Sequence, residues 1–123
     1  MLRTYRDLKV WEKSYNLCLE VYKLLKKLPV EERYGLSLQM RRSVVSIPSN
    51  IAEGYGRRGK QEYIHYLYVA YGSYCELETQ LLLASDLGYI EKETFEKIFE
   101  QAREVERMLK ALIDSLDKKS SKP

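Results

Sequence analysis

Residues 60–87 read KQEYIHYLYVAYGSYCELETQLLLASDL. Tyr63, Leu67, Ala70, Tyr74, Leu77, Leu81 and Ala84 recur at alternating steps of four and three. That rhythm holds apolar side chains on one face of an α-helix and conflicts with the two-residue period of a strand. A second row, Ile64, Tyr68, Tyr71, Cys75 and Leu82, runs beside the first. Together the rows cover about half the circumference, wider than the ~100° stripe of an ordinary surface helix. The spacing predicts a helix over 60–87 that is buried on two sides, by its own bundle and by a second copy of the chain. Tyr68 and Tyr71 are the expected contacts between copies.

Upstream, Gly54, Gly56 and Gly59 break the pattern, and a second apolar seam precedes them: Leu36, Met40, Val44, Ile47 and Ile51. Pro48 falls inside this seam. It has no N–H to donate and its ring crowds the carbonyl four residues back. The apolar spacing continues past it, so a kink near Pro48 is expected rather than a break. Earlier still, Trp11, Tyr15, Cys18, Tyr22 and Leu25 suggest a helix over residues 7–28, widened by Leu8, Val21 and Leu28, capped by Asp7 and stopped by Pro29. Downstream, Gly88 marks a turn. Phe95, Ile98, Ala102, Val105, Leu109, Leu112 and Leu116 then form a narrow seam on a helix from about residue 91. Four amphipathic helices joined by short links favour antiparallel neighbours. The expected fold is all-α: one up-down-up-down four-helix bundle over 1–117, with a disordered tail over 118–123.

The totals agree with one folded domain. The chain has 123 residues, 45% apolar and 32% charged, enough to bury a core without disulfides or metals. No apolar run approaches the ~18 residues of a membrane span. The charged N-terminus does not resemble a signal peptide, which places the chain in the cytoplasm, with Cys18 and Cys75 as free, buried thiols. Net charge is +3. The distribution is less even: residues 33–60 hold Arg33, Arg41, Arg42, Arg57, Arg58 and Lys60 against one acid, Glu53. Such an excess attracts phosphate or acidic surfaces, and reads also as a solvated basic face.

Chemistry-bearing motifs largely fail on context. Gly54-Tyr-Gly-Arg-Arg-Gly59 matches G-x-G-x-x-G, but a dinucleotide fold needs a strand before it, and here a helix precedes it. Arg57, Arg58 and Lys60 beside the start of the next helix could still meet a phosphate. Glu62 and His65 form Glu-x-x-His. A di-metal bundle needs two such pairs and two more glutamates, and the chain has a single histidine, turned about 200° from the Tyr63 seam. No catalytic residue, cofactor or metal is expected. On the second helix Gln39, Arg42, Ser46, Ser49, Asn50 and Glu53 recur at three and four, a polar stripe poor in the Lys and Glu of ordinary wet faces. It reads as a binding surface or interface.

Several segments carry a resemblance. They are Leu8-Lys-Val-Trp11, Pro29-Val-Glu-Glu-Arg-Tyr-Gly-Leu36, Gln39-Met-Arg-Arg-Ser-Val-Val-Ser-Ile-Pro-Ser-Asn-Ile-Ala-Glu-Gly54, Tyr71-Gly-Ser-Tyr-Cys-Glu-Leu-Glu78 and Gly88-Tyr-Ile90. Together they closely resemble the bacterial four-helix bundle proteins named after 23S rRNA intervening sequences. The likeness spans nearly the whole chain except the tail. It implies an up-down bundle assembled into a ring-shaped homopentamer. The family is distantly similar to accessory proteins of diversity-generating retroelements, which bind nucleic acid and a reverse transcriptase. Arg41, Arg42, Ser46, Asn50, Glu53 and Glu76 match its pattern. The expected function is a non-enzymatic oligomeric scaffold binding RNA or DNA through Arg41, Arg42, Arg57, Arg58 and Lys60, with Gln39, Ser46, Ser49, Asn50 and Glu53 as a polar contact line. The alternative is a protein adaptor whose basic patch meets an acidic or reverse-transcriptase-like partner.

Overall fold

The computed structural model describes residues 2–120, with side chains through Lys118. A 3-10 turn at Tyr5–Asp7 leads into α1 (Lys9–Leu25). A second 3-10 turn at Val30–Glu32 precedes α2 (Leu36–Tyr55), and α3 (Lys60–Asp86) and α4 (Lys92–Ser120) complete an up-down-up-down bundle. No strand occurs among the described residues. Each helix packs on its sequence neighbour and α4 returns to α1, so α1 lies diagonal to α3, and α2 to α4. The expected tail begins too early, since α4 continues to Ser120. The rest of that tail, 121–123, lies outside the described residues.

The α2 seam is buried as expected: Met40, Val44, Ile47 and Ile51 have no exposed surface. In α3 Leu67, Ala70, Tyr74, Leu77, Leu81 and Ala84 are buried, while Tyr63 is half-buried and Ile64 takes the inward place. Tyr74 is the largest fully buried side chain. Its hydroxyl donates to Glu78 and, at 3.4 Å, to Glu106 on α4. Burial, then the bond to Glu78, push that hydroxyl's pKa up, so it remains a donor.

The α1 expectation needs correction. Its buried face is Val10, Ser14, Leu17, Cys18, Val21 and Leu24, while Tyr15 and Tyr22 are exposed and Trp11 is half-buried. Two apolar rows about 100° apart competed for the core, and the aliphatic one won. Ser14 can sit inside because its hydroxyl donates to the Trp11 carbonyl at 2.9 Å. The helix is also shorter than expected, and Asp7 caps the preceding 3-10 turn, accepting from the Arg3 and Thr4 amides. Those backbone bonds lower its pKa. Cys75, expected buried, is exposed, because it lies one residue and so about 100° from the buried Tyr74 on α3.

α2 is continuous through Pro48, which is itself buried. Proline cannot donate to the carbonyl four residues back, so the Val44 oxygen loses its helical partner. The Cys18 thiol of α1 donates to that oxygen at 3.0 Å. Burial pushes the Cys18 thiol up from 9.0 to about 12, which keeps the proton on sulfur. Its contribution to stability is full below about pH 9 and lost as pH rises towards 12, because the unfolded chain gives up the proton first. Cys18→Val keeps the bulk and removes the donor, and is expected to cost about 1–3 kcal/mol in urea denaturation. In a native thiol titration Cys75 should react and Cys18 should wait for unfolding.

Two glycines have specific work. Gly88, at φ +80°, ends α3: its amide bonds to the Ser85 carbonyl and the Tyr89 amide to Ala84, the paired bonds of a Schellman cap. Gly54, near the end of α2, lies where a Cβ would be 2.8 Å from the Tyr66 Cβ on α3.

Candidate nucleic-acid interface

Along the α2 edge that faces α3, Arg42, Ser46, Asn50 and Glu53 follow at steps of four, four and three, and Arg57 comes just past the helix end. Short bonds tie this edge across the seam. Ser43 donates to Gln80 at 2.7 Å, and Ser73 to the Ser46 hydroxyl at 2.7 Å. Asn50 donates to the Ser46 carbonyl and hydroxyl at 2.8 and 2.9 Å. Arg57 bonds to Glu53 and, at 2.8 Å, to the Tyr66 hydroxyl, with its guanidinium carbon 4.8 Å from that ring's centre. Tyr66 and Glu53 hold Arg57 firmly charged.

Gln39, Arg42 and Ser46 share a groove of about 400 Å³ with Ser73, Glu76 and Gln80. Its character is polar rather than cationic, since the Glu76 carboxylate opposes any phosphate near Arg42. Arg58 and Lys60 are exposed at the α2–α3 turn. About 20 Å of helix separates Arg42 from Tyr55, two residues before Arg57, at 1.5 Å per residue.

The expected basic residues thus form three groups rather than one. Arg41 leaves the edge, because neighbouring helical residues point about 100° apart. It lines a different groove with Lys26 and Arg33. Ser49 also leaves the polar line, joining Tyr5, Trp11, Tyr15 and Val45 in an aromatic groove between α1 and α2. Tyr68 is 52% exposed, and it lines a cleft with Tyr71 and Lys110, whose ammonium lies 5.3 Å from the Tyr71 ring centre. Among the described residues no cluster of three or more His, Cys, Asp or Glu could hold a metal. No helix among them is long and apolar enough to cross a membrane.

Beyond these expected positions, α1 displays Tyr15, Leu19 and Tyr22, all more than two-fifths exposed. α3 displays Tyr68, Val69, Leu82 and Leu83 on the diagonal corner. The surplus on α3 was visible in its two apolar rows. The surplus on α1 was hidden, since its aromatic row reads equally well as core.

A family model described as 23S rRNA-intervening sequence protein matches residues 6–111. The chain belongs to this family. A solved structure from Bacteroides thetaiotaomicron, a protein of unknown function from the S23 ribosomal protein family, is similar. It shares 28% identity and a TM-score of 0.79, over 85% of this chain and 97% of that one. No match occurs among curated proteins. Both the matched span and the four-helix architecture agree with the bundle described above for this member of the 23S rRNA-intervening sequence family.

Proposed function

We propose that the protein is a non-enzymatic, oligomeric scaffold that binds RNA or DNA through a basic surface. The observation that carries this reading is charge segregation. Residues 1–60 hold thirteen basic and six acidic side chains, net +7. Residues 61–91 hold five acids and no Lys or Arg, net −5. A net charge of +3 therefore understates the field on the α1–α2 side, which is what a polyanion meets. The family's name, with its reference to 23S rRNA, agrees with this reading.

The same segregation favours a second copy as the cover for the apolar corners. The outward face of α3 is apolar, and α3 carries acids and no Lys or Arg after Lys60, although Lys110 of α4 stands beside Tyr68 and Tyr71. The α1–α2 side is aromatic and flanked mostly by cations. Seating α3 of one copy on α1–α2 of the next buries both and pairs opposite charges. The two faces differ, so the contact is head-to-tail, and such contacts close into rings when the rotation allows. A ring of five is the assembly that the family resemblance implies.

Fluorescence anisotropy with a single-stranded RNA tests the nucleic-acid reading. With about four phosphate contacts, affinity should fall about fiftyfold between about 50 and 200 mM salt. Absence of binding at the lower salt would exclude the reading. Binding that ignores salt would point to an acidic protein as the natural partner of the basic side instead.

A further inference from the structure

Three cations from three different elements meet at the corner between α1 and α2. Lys26 follows the last residue of α1, Arg33 closes the Val30–Glu32 turn, and Arg41 lies within α2. They line a groove of about 250 Å³ whose other walls include Leu25, Pro29, Val30 and Ser37. Among the described residues no carboxylate lines it. None of the three cations has an ion pair among the described residues. Arg41 makes only a long bond, 3.4 Å, to the Arg33 carbonyl. Like charges gathered on one small groove repel each other, and an anion relieves that repulsion.

A second observation points into the same groove. Ser37 is only 4% exposed, lines the groove, and its hydroxyl has no hydrogen-bond partner among the described residues. It sits in the first turn of α2, where the Leu36 amide bonds to Glu32 and the Gln39 amide to the Gly35 carbonyl. Among the described residues the Ser37 and Leu38 amides between them have no acceptor outside the helix, and first-turn amides have none within it. The nearby acids are otherwise engaged or turned out. Glu32 accepts from the Leu36 amide and from Tyr89, each at 3.0 Å, Glu20 pairs with Lys23, and Glu31 is exposed.

We propose that this groove is a phosphate-binding site. Arg33 and Arg41 supply forked donors that match tetrahedral oxyanions, Lys26 adds a point charge, and Ser37 adds a neutral donor. Helix N-terminal amides favour the same ligand. The phosphate belongs either to a nucleic-acid strand or to a free phosphate compound. Only the first source rests on the nucleic-acid reading above.

The test uses inorganic pyrophosphate and a short RNA, against the wild type, the Arg33→Gln/Arg41→Gln double variant, and Ser37→Ala. Lys92→Gln/Lys97→Gln, two exposed cations of α4 outside every candidate surface, serves as the charge-matched comparison. Millimolar pyrophosphate should shift the amide resonances of Ser37 and Leu38. The Arg33→Gln/Arg41→Gln variant should weaken both ligands by about tenfold or more, with its thermal midpoint held, and Ser37→Ala should weaken pyrophosphate less. Lys92→Gln/Lys97→Gln should leave pyrophosphate unaffected. If the Arg33→Gln/Arg41→Gln variant binds both ligands as the wild type does, the groove is not the site, and the nucleic-acid reading stands on the wild type's RNA affinity. If pyrophosphate binds in the groove and RNA does not bind at all, the site serves a free phosphate compound and the nucleic-acid reading falls. If neither ligand binds, both fail.

Discussion

Gly54→Val is expected to destabilise the bundle more than any other single change at a glycine. A Cβ at position 54 would lie 2.8 Å from the Tyr66 Cβ and 3.1 Å from both the Tyr63 ring edge and the Tyr63 carbonyl oxygen. Two of these three are close to or part of the α3 backbone, so no rotamer change clears them. α2 and α3 would have to separate where they pack most closely. Overpacking of this kind costs about 1–3 kcal/mol. Replacing a helical glycine recovers up to about 1 kcal/mol of backbone entropy. For Gly54→Ala the clash should win by about 2 kcal/mol, and the branched valine should cost more. Against a total of about 5–15 kcal/mol, that is a large share. Urea unfolding followed by circular dichroism measures it. Gly56→Ala, two residues on, meets nothing closer than 3.6 Å and should stay within about 0.5 kcal/mol. Equal stability of Gly54→Val and wild type would mean that the helices do not approach as described.

The bundle was legible because period and punctuation agreed. The α3 rhythm, the α2 seam, Gly88 and Pro29 each stated a boundary or a face, and the tertiary structure had no reason to override them. The α1 face was illegible for a physical reason. Trp11, Tyr15 and Tyr22 offer larger rings than Val10, Leu17 and Val21, yet Tyr15 and Tyr22 were left outside and Trp11 half-buried while the smaller row closed the core. Which of two offset rows closes the core is decided by the helices packed opposite, which the periodicity of one helix cannot express. The basic residues were legible as a set and not as sites. Arg41 and Arg42 are adjacent in sequence and face different grooves. Lys26 and Arg33 join Arg41 only through the turn between α1 and α2. The Cys18 bond to Val44 was equally hidden: Pro48 announced a missing donor, and only the fold could say which side chain would supply one.

Leu83→Lys is expected to abolish self-association while leaving the fold of each copy intact. Leu83 is 48% exposed within one chain, so a charge there costs that chain little. Under a second copy the same ammonium would be desolvated against the α1–α2 side, where cations outnumber acids thirteen to six. Burying an unpaired charge costs several kcal/mol, which is a factor of about a thousand or more in the association constant. Light scattering at micromolar concentration should move from an oligomer to the 14.6 kDa monomer. Tyr22→Lys, on the diagonal face of α1, should do the same. The mixture of the two variants discriminates the geometry. Leu83→Lys retains a sound α1–α2 face and Tyr22→Lys a sound α3 face, so a head-to-tail contact restores one good junction per pair. A heterodimer of about twice the monomer mass should form and grow no further, because every remaining free face carries the introduced lysine. A face-to-face contact of α3 with α3 would leave Tyr22→Lys oligomeric on its own and the mixture no larger. A wild type that is already monomeric would remove the second copy from the account, and the apolar corners would then belong to a different partner.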